Sequence, residues 1–400
     1  MSPVPVRPAD SKRTSGKYKG PPPFLGMIDA VTVGERGDFE FDGALALEDV
    51  RAVWTWILRD LATDLIDPSA LDDSDQSRAA LEALMPDLIE RARLALEEAA
   101  KASEADRRLT AQVGGDEVRA RLPVVLAALR QRGLLDKAQA FGRAANAIAD
   151  DASLATALQS MPTGDQPGAA FLMFAMVGQM AAPMRLITAA VKIANGATEP
   201  DLLRAGFGPL VDAMLAHAQA QIPVLTQVGT FGDVDLVCRS VDRFHRLMRA
   251  VTGFIELTRG GRWAHTTAGL IRRVSAKIEP KLRDVAPDVN KSLRRREGTD
   301  RIDSDLMLSA LNGMYLLATI RDSRDSLALN TLFDQVWTQT GQALEIHIDR
   351  LMDVLRANPR DSVASQRLDA ALKMAEIRFG QDYADTLRRA KLTTQRRVGS

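Results

Sequence analysis

The chain has 400 residues, 46% hydrophobic and 26% charged, with 52 acids balancing 52 Lys and Arg. That is ample material for a large core, and the zero net charge gives bulk electrostatics no reason to select nucleic acid or a membrane as partner. One cysteine, Cys238, excludes an internal disulfide framework and fits a reducing, cytoplasmic setting, while 41 Arg against 11 Lys suggests a GC-rich bacterial genome.

Residues 1–26 carry Pro3, Pro5, Pro8, Pro21, Pro22 and Pro23. Five basic residues, Arg7, Lys12, Arg13, Lys17 and Lys19, face one acid, Asp10. Such a stretch buries too little apolar surface to offset its ordering entropy, so a disordered basic, Pro-rich tail is expected. It lacks the apolar run of a secretory signal. Alternation around Gly34–Gly37 predicts a small β-hairpin near residues 31–43. From Leu45 the period changes: Leu47, Val50, Trp54, Ile57, Leu58, Leu61 and Leu65 share a helix face. Trp56 falls off that face, which fits a second packed layer or an exposed anchor.

Helices follow at about 74–110, with a kink or break at Pro86, then 116 to Gly133, and 134–150. After the turn-rich MPTGDQPG (161–168), the apolar stretch 169–194 predicts one long central helix. Thr198 is a plausible N-cap with Pro200 in the first turn beyond it. Further helices are expected at 233–259, 262–283, 303–320, 325–356 and 362–389. The fold class is therefore all-α: a large multi-helix bundle or irregular array of about a dozen helices. By charge and punctuation the chain divides into an acidic helical region at 27–160, a second helical region at 166–390 and a basic disordered tail at 391–400. Three segments that start with a Pro before an apolar helical pattern are irregularly spaced and do not support a solenoid.

From Gln166 to Met184 no residue is charged. Those 19 residues would make roughly 28 Å of helix, close to a hydrocarbon thickness. Gly178, Gln179 and Pro183 interrupt the stretch, Arg185 and Lys192 close it, and no aromatic belt flanks it. A helix apolar nearly all round then belongs in a core, and no transmembrane span is expected.

Catalytic motifs are missing. There is no phosphate loop, GxSxG elbow or HExxH helix, and GFGPLV (206–211) lacks a preceding strand. The four histidines, His217, His245, His265 and His347, are far apart in sequence. DDSD (72–75), Asp150 with Asp151, and DRIDSD (300–305) read as caps and turns rather than magnesium or calcium sites. Cys238 lies in line with Val234, Val241 and Phe244, as an inert packed thiol would. No cofactor or metal is expected.

Charge polarity is the one outstanding feature. Residues 29–117 hold 22 acids against 9 bases, and residues 239–301 hold 16 bases against 7 acids. Arg239, Arg243, Arg246 and Arg249 share a face of the 233–259 helix, and Arg262, Arg273 and Lys277 lie on the polar side of the next. These seven form the candidate anion- or partner-binding set. Solvation, or pairing with the acidic region, is the structural alternative. Aromatics for base stacking are missing from these faces. The resulting expectation is a non-enzymatic scaffold, adaptor or regulatory protein that binds a protein partner or a second copy of itself. The alternatives are binding of nucleic acid or an anionic membrane surface through 233–283, and an all-α enzyme with a dispersed site.

Overall fold

The computed structural model describes residues 23–68, 71, 72, 74–161, 166–226, 233–295 and 301–396, main chain only at 166, 167, 395 and 396. Among them the architecture is all-α, with one two-stranded parallel sheet and one isolated parallel bridge, between Thr198 and Glu256. Packing divides the chain into two units, Met1–Asp29 with Asp49–Arg130, and Ala30–Glu48 with Gln131–Ser400. The division at 160–166 drawn from sequence follows charge and the turn-rich MPTGDQPG link, which are different properties.

The first unit contains α1 (Pro23–Gly26), most of α2 (Leu47–Trp56), a π-helical turn (Ile57–Leu61), α3 (Asp75–Lys101), α4 (Ser103–Val113) and the first half of α5 (Asp116–Ala145). The tail expected over 1–26 is too long. Residues 1–22 lie outside the described residues, but 23–26 form a helical turn whose Phe24 is buried and stacks on Trp54 at 4.5 Å. Trp56 is buried too, so the off-face tryptophan serves a second packed layer. Pro86 does not break α3. The chain breaks instead at Ala102, where the backbone becomes extended. Gly114 ends α4 because it adopts φ 104°, a left-handed conformation open to glycine. Gly133 keeps right-handed φ, so the two helices expected around it are one, α5.

The second unit holds β1 (Thr32–Val33) and β2 (Leu45–Ala46). They pair in parallel, so the hairpin expected at 31–43 does not form; the intervening chain runs out and returns to the same direction. Its helices are the end of α5, then α6 (Asp151–Gln159), α7 (Gln166–Gly178), α8 (Met184–Ala194), α9 (Glu199–Arg204), α10 (Gly208–Gln219), α11 (Ile222–Thr226), α12 (Val234–Phe254), α13 (Arg262–Leu293), α14 (Ser304–Ser323), α15 (Asn330–Ala357), α16 (Ser362–Phe379) and α17 (Gln381–Arg396). The single helix expected over 169–194 is two helices, interrupted at Gln179–Pro183. Every side chain from Ala169 to Val177 is buried. α10 packs along α7, and α12 packs on α8 and α10. Two glycines let other segments approach the α7 backbone: a Cβ at Gly142 would sit 2.4 Å from the Met176 carbonyl oxygen, and one at Gly43 would sit 2.3 Å from that of Ala170. α7 has 13 residues, roughly 20 Å of rise, and no described helix is long and apolar enough to cross a membrane.

α13 runs through Pro280 and Pro287 and continues ten residues past the expected stop at Arg283, while Gly380, at φ 98°, splits the expected 362–389 helix into α16 and α17. The tail expected over 391–400 is helical to Arg396, and 397–400 lie outside the described residues. Lys391 is buried, donating to Asp369 at 2.6 Å and to the Ser365 carbonyl at 3.1 Å.

Several acids of the rejected metal motifs are caps. Asp150 starts α6, rather than ending a helix as expected, by accepting from Ser153 N at 2.7 Å, and Asp303 starts α14 by accepting from Leu306 N. Asp72 accepts from the hydroxyls of Ser74 and Ser77, which hold its carboxyl down at about 2. Thr198 caps α9 as expected, with Pro200 in the first turn.

Candidate functional site

The seven basic residues do not form one surface. α12 and α13 are not principal packing neighbours; α10, α11 and α14 each pack against both. Arg239 and Arg246 pair with Asp235 and Asp242 one turn earlier on α12. Such exposed i,i+4 pairs contribute about 0.3–0.5 kcal/mol each. Arg262 grips Asp212 of α10 at 2.5 and 2.6 Å, and the Trp263 indole donates to the same carboxylate at 2.8 Å. Arg273 pairs with Asp38, the one member of the set that meets the 29–117 acidic region. Arg249 and Lys277 are exposed and have no ion pair among the described residues, as is the neighbouring Arg272.

Arg243 turns inward. Its guanidinium donates to the carbonyls of Val177, at 2.7 Å, and Met180. These carbonyls belong to the last turn of α7 and to the residue two beyond its end; the Val177 carbonyl also accepts from Met180 N at 3.1 Å. A cation there also meets the negative end of the helix dipole. Burial pushes the guanidinium below its usual range, with Arg246 adding to that. Other side chains close the same break. Asn146 donates to Gln179 O at 2.9 Å and accepts from Ala181 N at 2.9 Å; Arg246 reaches Ala181 O at 3.3 Å. His217 of α10 stacks on Phe174 at 3.9 Å, with Nε2 2.8 Å from Phe174 O. Burial pushes this imidazole down to about 4, and the Arg243 charge works in the same direction. The neutral ring therefore donates from Nε2. Arg243 is thus a clamp on the core, and the candidate set loses its most central member.

Cys238 is half-buried rather than buried, with Thr319 as a hydrogen-bond partner. Burial raises its thiol, which disfavours the nucleophilic thiolate. Among the described residues, no three His, Cys, Asp or Glu side chains gather as a metal cage.

A different cluster stands out on α14–α17. The Arg378 guanidinium lies 3.9 Å from the Trp337 ring centre and donates to the Trp337 carbonyl at 3.2 Å; Arg321 lies over the same ring at 5.5 Å. Phe333 stacks on Trp337 at 5.4 Å, and Phe379 meets Tyr383 at 4.7 Å. Trp337 and Phe379 are half-buried and Tyr383 is 36% exposed; Ile346, also on α15, is 49% exposed. Burial raises the Tyr383 phenol, helped by the nearby Glu345 and Asp349. The Phe333–Trp337 spacing of one turn was readable in the sequence. The convergence of Arg321 and Arg378 was not, because it needs the packing of α14 and α16 beside α15.

The fold thus defines an all-α multi-helix array. No family model matches the chain, and no curated protein or solved structure matches it either.

Proposed function

We propose that this is a non-catalytic helical interaction protein, a scaffold, adaptor or regulatory partner acting in the cytoplasm of a bacterium, and that it docks another protein through the α14–α17 surface. The observation that carries the reading is the Arg321–Trp337–Arg378 stack with Tyr383 beside it. Trp, Tyr and Arg dominate the energetically decisive positions of protein interfaces: the aromatics combine large apolar area with few rotatable bonds and a polar handle, and Arg adds a planar set of donors. Here they meet at the surface. The two cations already hold the indole in place, so little ordering entropy remains to be lost on docking. The lone half-buried thiol fits a reducing compartment.

The test is capture of the partner from the native extract, followed by reconstitution with purified components. Trp337→Ala and Tyr383→Asp chains, checked for unchanged circular dichroism, should bind at least tenfold more weakly. Equal binding by wild type and both variants would refute the docking surface.

A second reading, anion binding through α12 and α13, is supported by Arg249, Arg272 and Lys277, which are exposed without an ion pair among the described residues. It excludes Arg243, Arg262 and Arg273 as primary contacts, since each already holds a partner.

A further inference from the structure

The excursion between β1 and β2, residues 34–44, is held at its tip by side chains of other elements. Among the described residues, no main-chain group of Gly37–Phe39 bonds another main-chain group. Instead the Gln219 carboxamide of α10 serves both polar groups of Phe39. Its oxygen accepts from Phe39 N at 3.1 Å, and its nitrogen donates to Phe39 O at 2.8 Å. A neighbouring strand makes the same pair of bonds, which recognise main chain whatever side chain it carries. Gly37 permits the approach, since a Cβ there would lie 2.0 Å from the Gln219 amide.

Selectivity comes from α13. The tip of the Phe39 ring rests over Gly269, where a Cβ would stand 2.5 Å from Cζ, and His265 meets the ring in a T-shaped contact at 6.0 Å. Arg273, one turn beyond Gly269, pairs with the Asp38 carboxylate. A carboxamide for main chain, a glycine notch for an aromatic ring and a cation for an acid thus converge from two helices on three successive residues. The hold is shallow. Phe39 is half-buried, and the Asp38 and Arg273 side chains are 57% and 39% exposed. Phe41, by contrast, is buried, and Gly43 packs on α7. Residues 37–39 can therefore lift while the rest of the loop stays seated.

We propose that this face of α10 and α13 is a recognition groove for an extended Gly-Asp-aromatic segment of a partner protein, and that Gly37–Phe39 occupies it in cis as an autoinhibitory strap. The tether keeps the strap at high effective concentration. A free segment enters only in the fraction of chains whose strap has lifted, and its apparent affinity falls by that fraction. The proposal does not depend on the α14–α17 docking surface.

Fluorescence polarisation with a labelled peptide of residues 34–41 tests it. An Asp38→Ala/Phe39→Ala chain, with unchanged circular dichroism, should bind the peptide at least tenfold more tightly than wild type, because its own strap no longer competes. Adding Arg273→Glu to that chain, or placing Ala at the Asp38 and Phe39 positions of the peptide, should abolish the gain. If the double variant folds poorly, hydrogen exchange of the wild type is the readout. Saturating peptide should speed exchange of the Phe39 amide, whose bond to Gln219 it displaces, and leave the Leu270 amide of α13 unchanged. No binding to the opened chain, equal affinity for wild type, binding indifferent to Arg273→Glu, or Phe39 exchange unaltered by peptide would each overturn the assignment. A loop with a purely structural role gives the first of these results.

Discussion

α7 and α12 show two ways in which a helix meets the core. α7 is apolar all round and is buried from Ala169 to Val177. α12 carries four arginines on one side, and its apolar residues Val237, Val241, Phe244, Leu247 and Met248 are buried on the other. Yet the arginine nearest the middle of that row, Arg243, belongs to α7 as much as to α12: it donates to the Val177 and Met180 carbonyls at the end of α7. A row of like charges along a helix therefore says where a cation starts. What it reaches depends on which neighbouring helix ends nearby.

The largest expected effect comes from breaking the apolar member of the pair. Met176 is 0% exposed. Met176→Asp buries a charge without a partner and should cost about 4 kcal/mol or more, read as a collapse of the urea midpoint or failure to accumulate folded protein. A midpoint close to wild type would mean α7 is not central. Next is its packing. Gly142→Ala drives a methyl into the Met176 carbonyl and should cost about 1–3 kcal/mol by the same assay; a neutral result would mean α5 moves away at little cost.

pH sharpens the comparison at the α7–α10 contact. The folded value of His217, about 4, lies below its ordinary 6.5. Above 6.5 both folded and unfolded chains carry the neutral ring, and its contribution is fully present. As pH falls from 6.5 towards 4, the unfolded chain takes up a proton that the folded chain refuses, so stability is lost across that window. By pH 5 the loss should be about 2 kcal/mol relative to pH 7. His245 and His347 are lowered by burial as well and add the same sign. Unfolding of wild type and His217→Gln at pH 7 and pH 5 isolates the contribution: the variant should show a shallower loss, and parallel losses would remove His217 as the cause.

The smallest effect is expected on the outward face. Replacing Arg249, Arg272 and Lys277 together by Ala should leave stability within about 0.5 kcal/mol, because none has an ion pair among the described residues to lose. Heparin retention at two salt concentrations should be the same for wild type and variant. If the variant elutes earlier, with a salt slope flatter by about one per lost charge, the anion-binding reading replaces the docking reading.

Much of this was legible in the sequence, and the failures have physical causes. The all-α class and the buried apolar stretch followed from periodicity alone, since 3.6-residue spacing dominates from Leu45 onward. Helix ends were harder. Gly133 and Gly380 look alike in sequence, but only Gly380 takes a left-handed φ. Pro86, Pro280 and Pro287 sit inside long helices whose packing offsets the lost N–H bonds. The parallel pairing of Thr32–Val33 with Leu45–Ala46 was hidden because alternation gives strands but not direction. At the candidate sites, residue types were visible and partners were not. Asp212 for Arg262, the α7 carbonyls for Arg243 and Arg378 for Trp337 are all distant in sequence.

The central claim is that Arg243 serves the core while Arg249, on the same helix, faces water. The direct measurement is urea unfolding of Arg243→Ala beside Arg249→Ala, two identical substitutions two turns apart on one helix, so that intrinsic helix propensity cancels. Arg243→Ala should cost about 2–3 kcal/mol, since it leaves partly buried carbonyls at the end of α7 without their charged donor, and Arg249→Ala less than about 0.5 kcal/mol. Losses that agree within 0.5 kcal/mol would contradict the account and return Arg243 to the solvent-facing row.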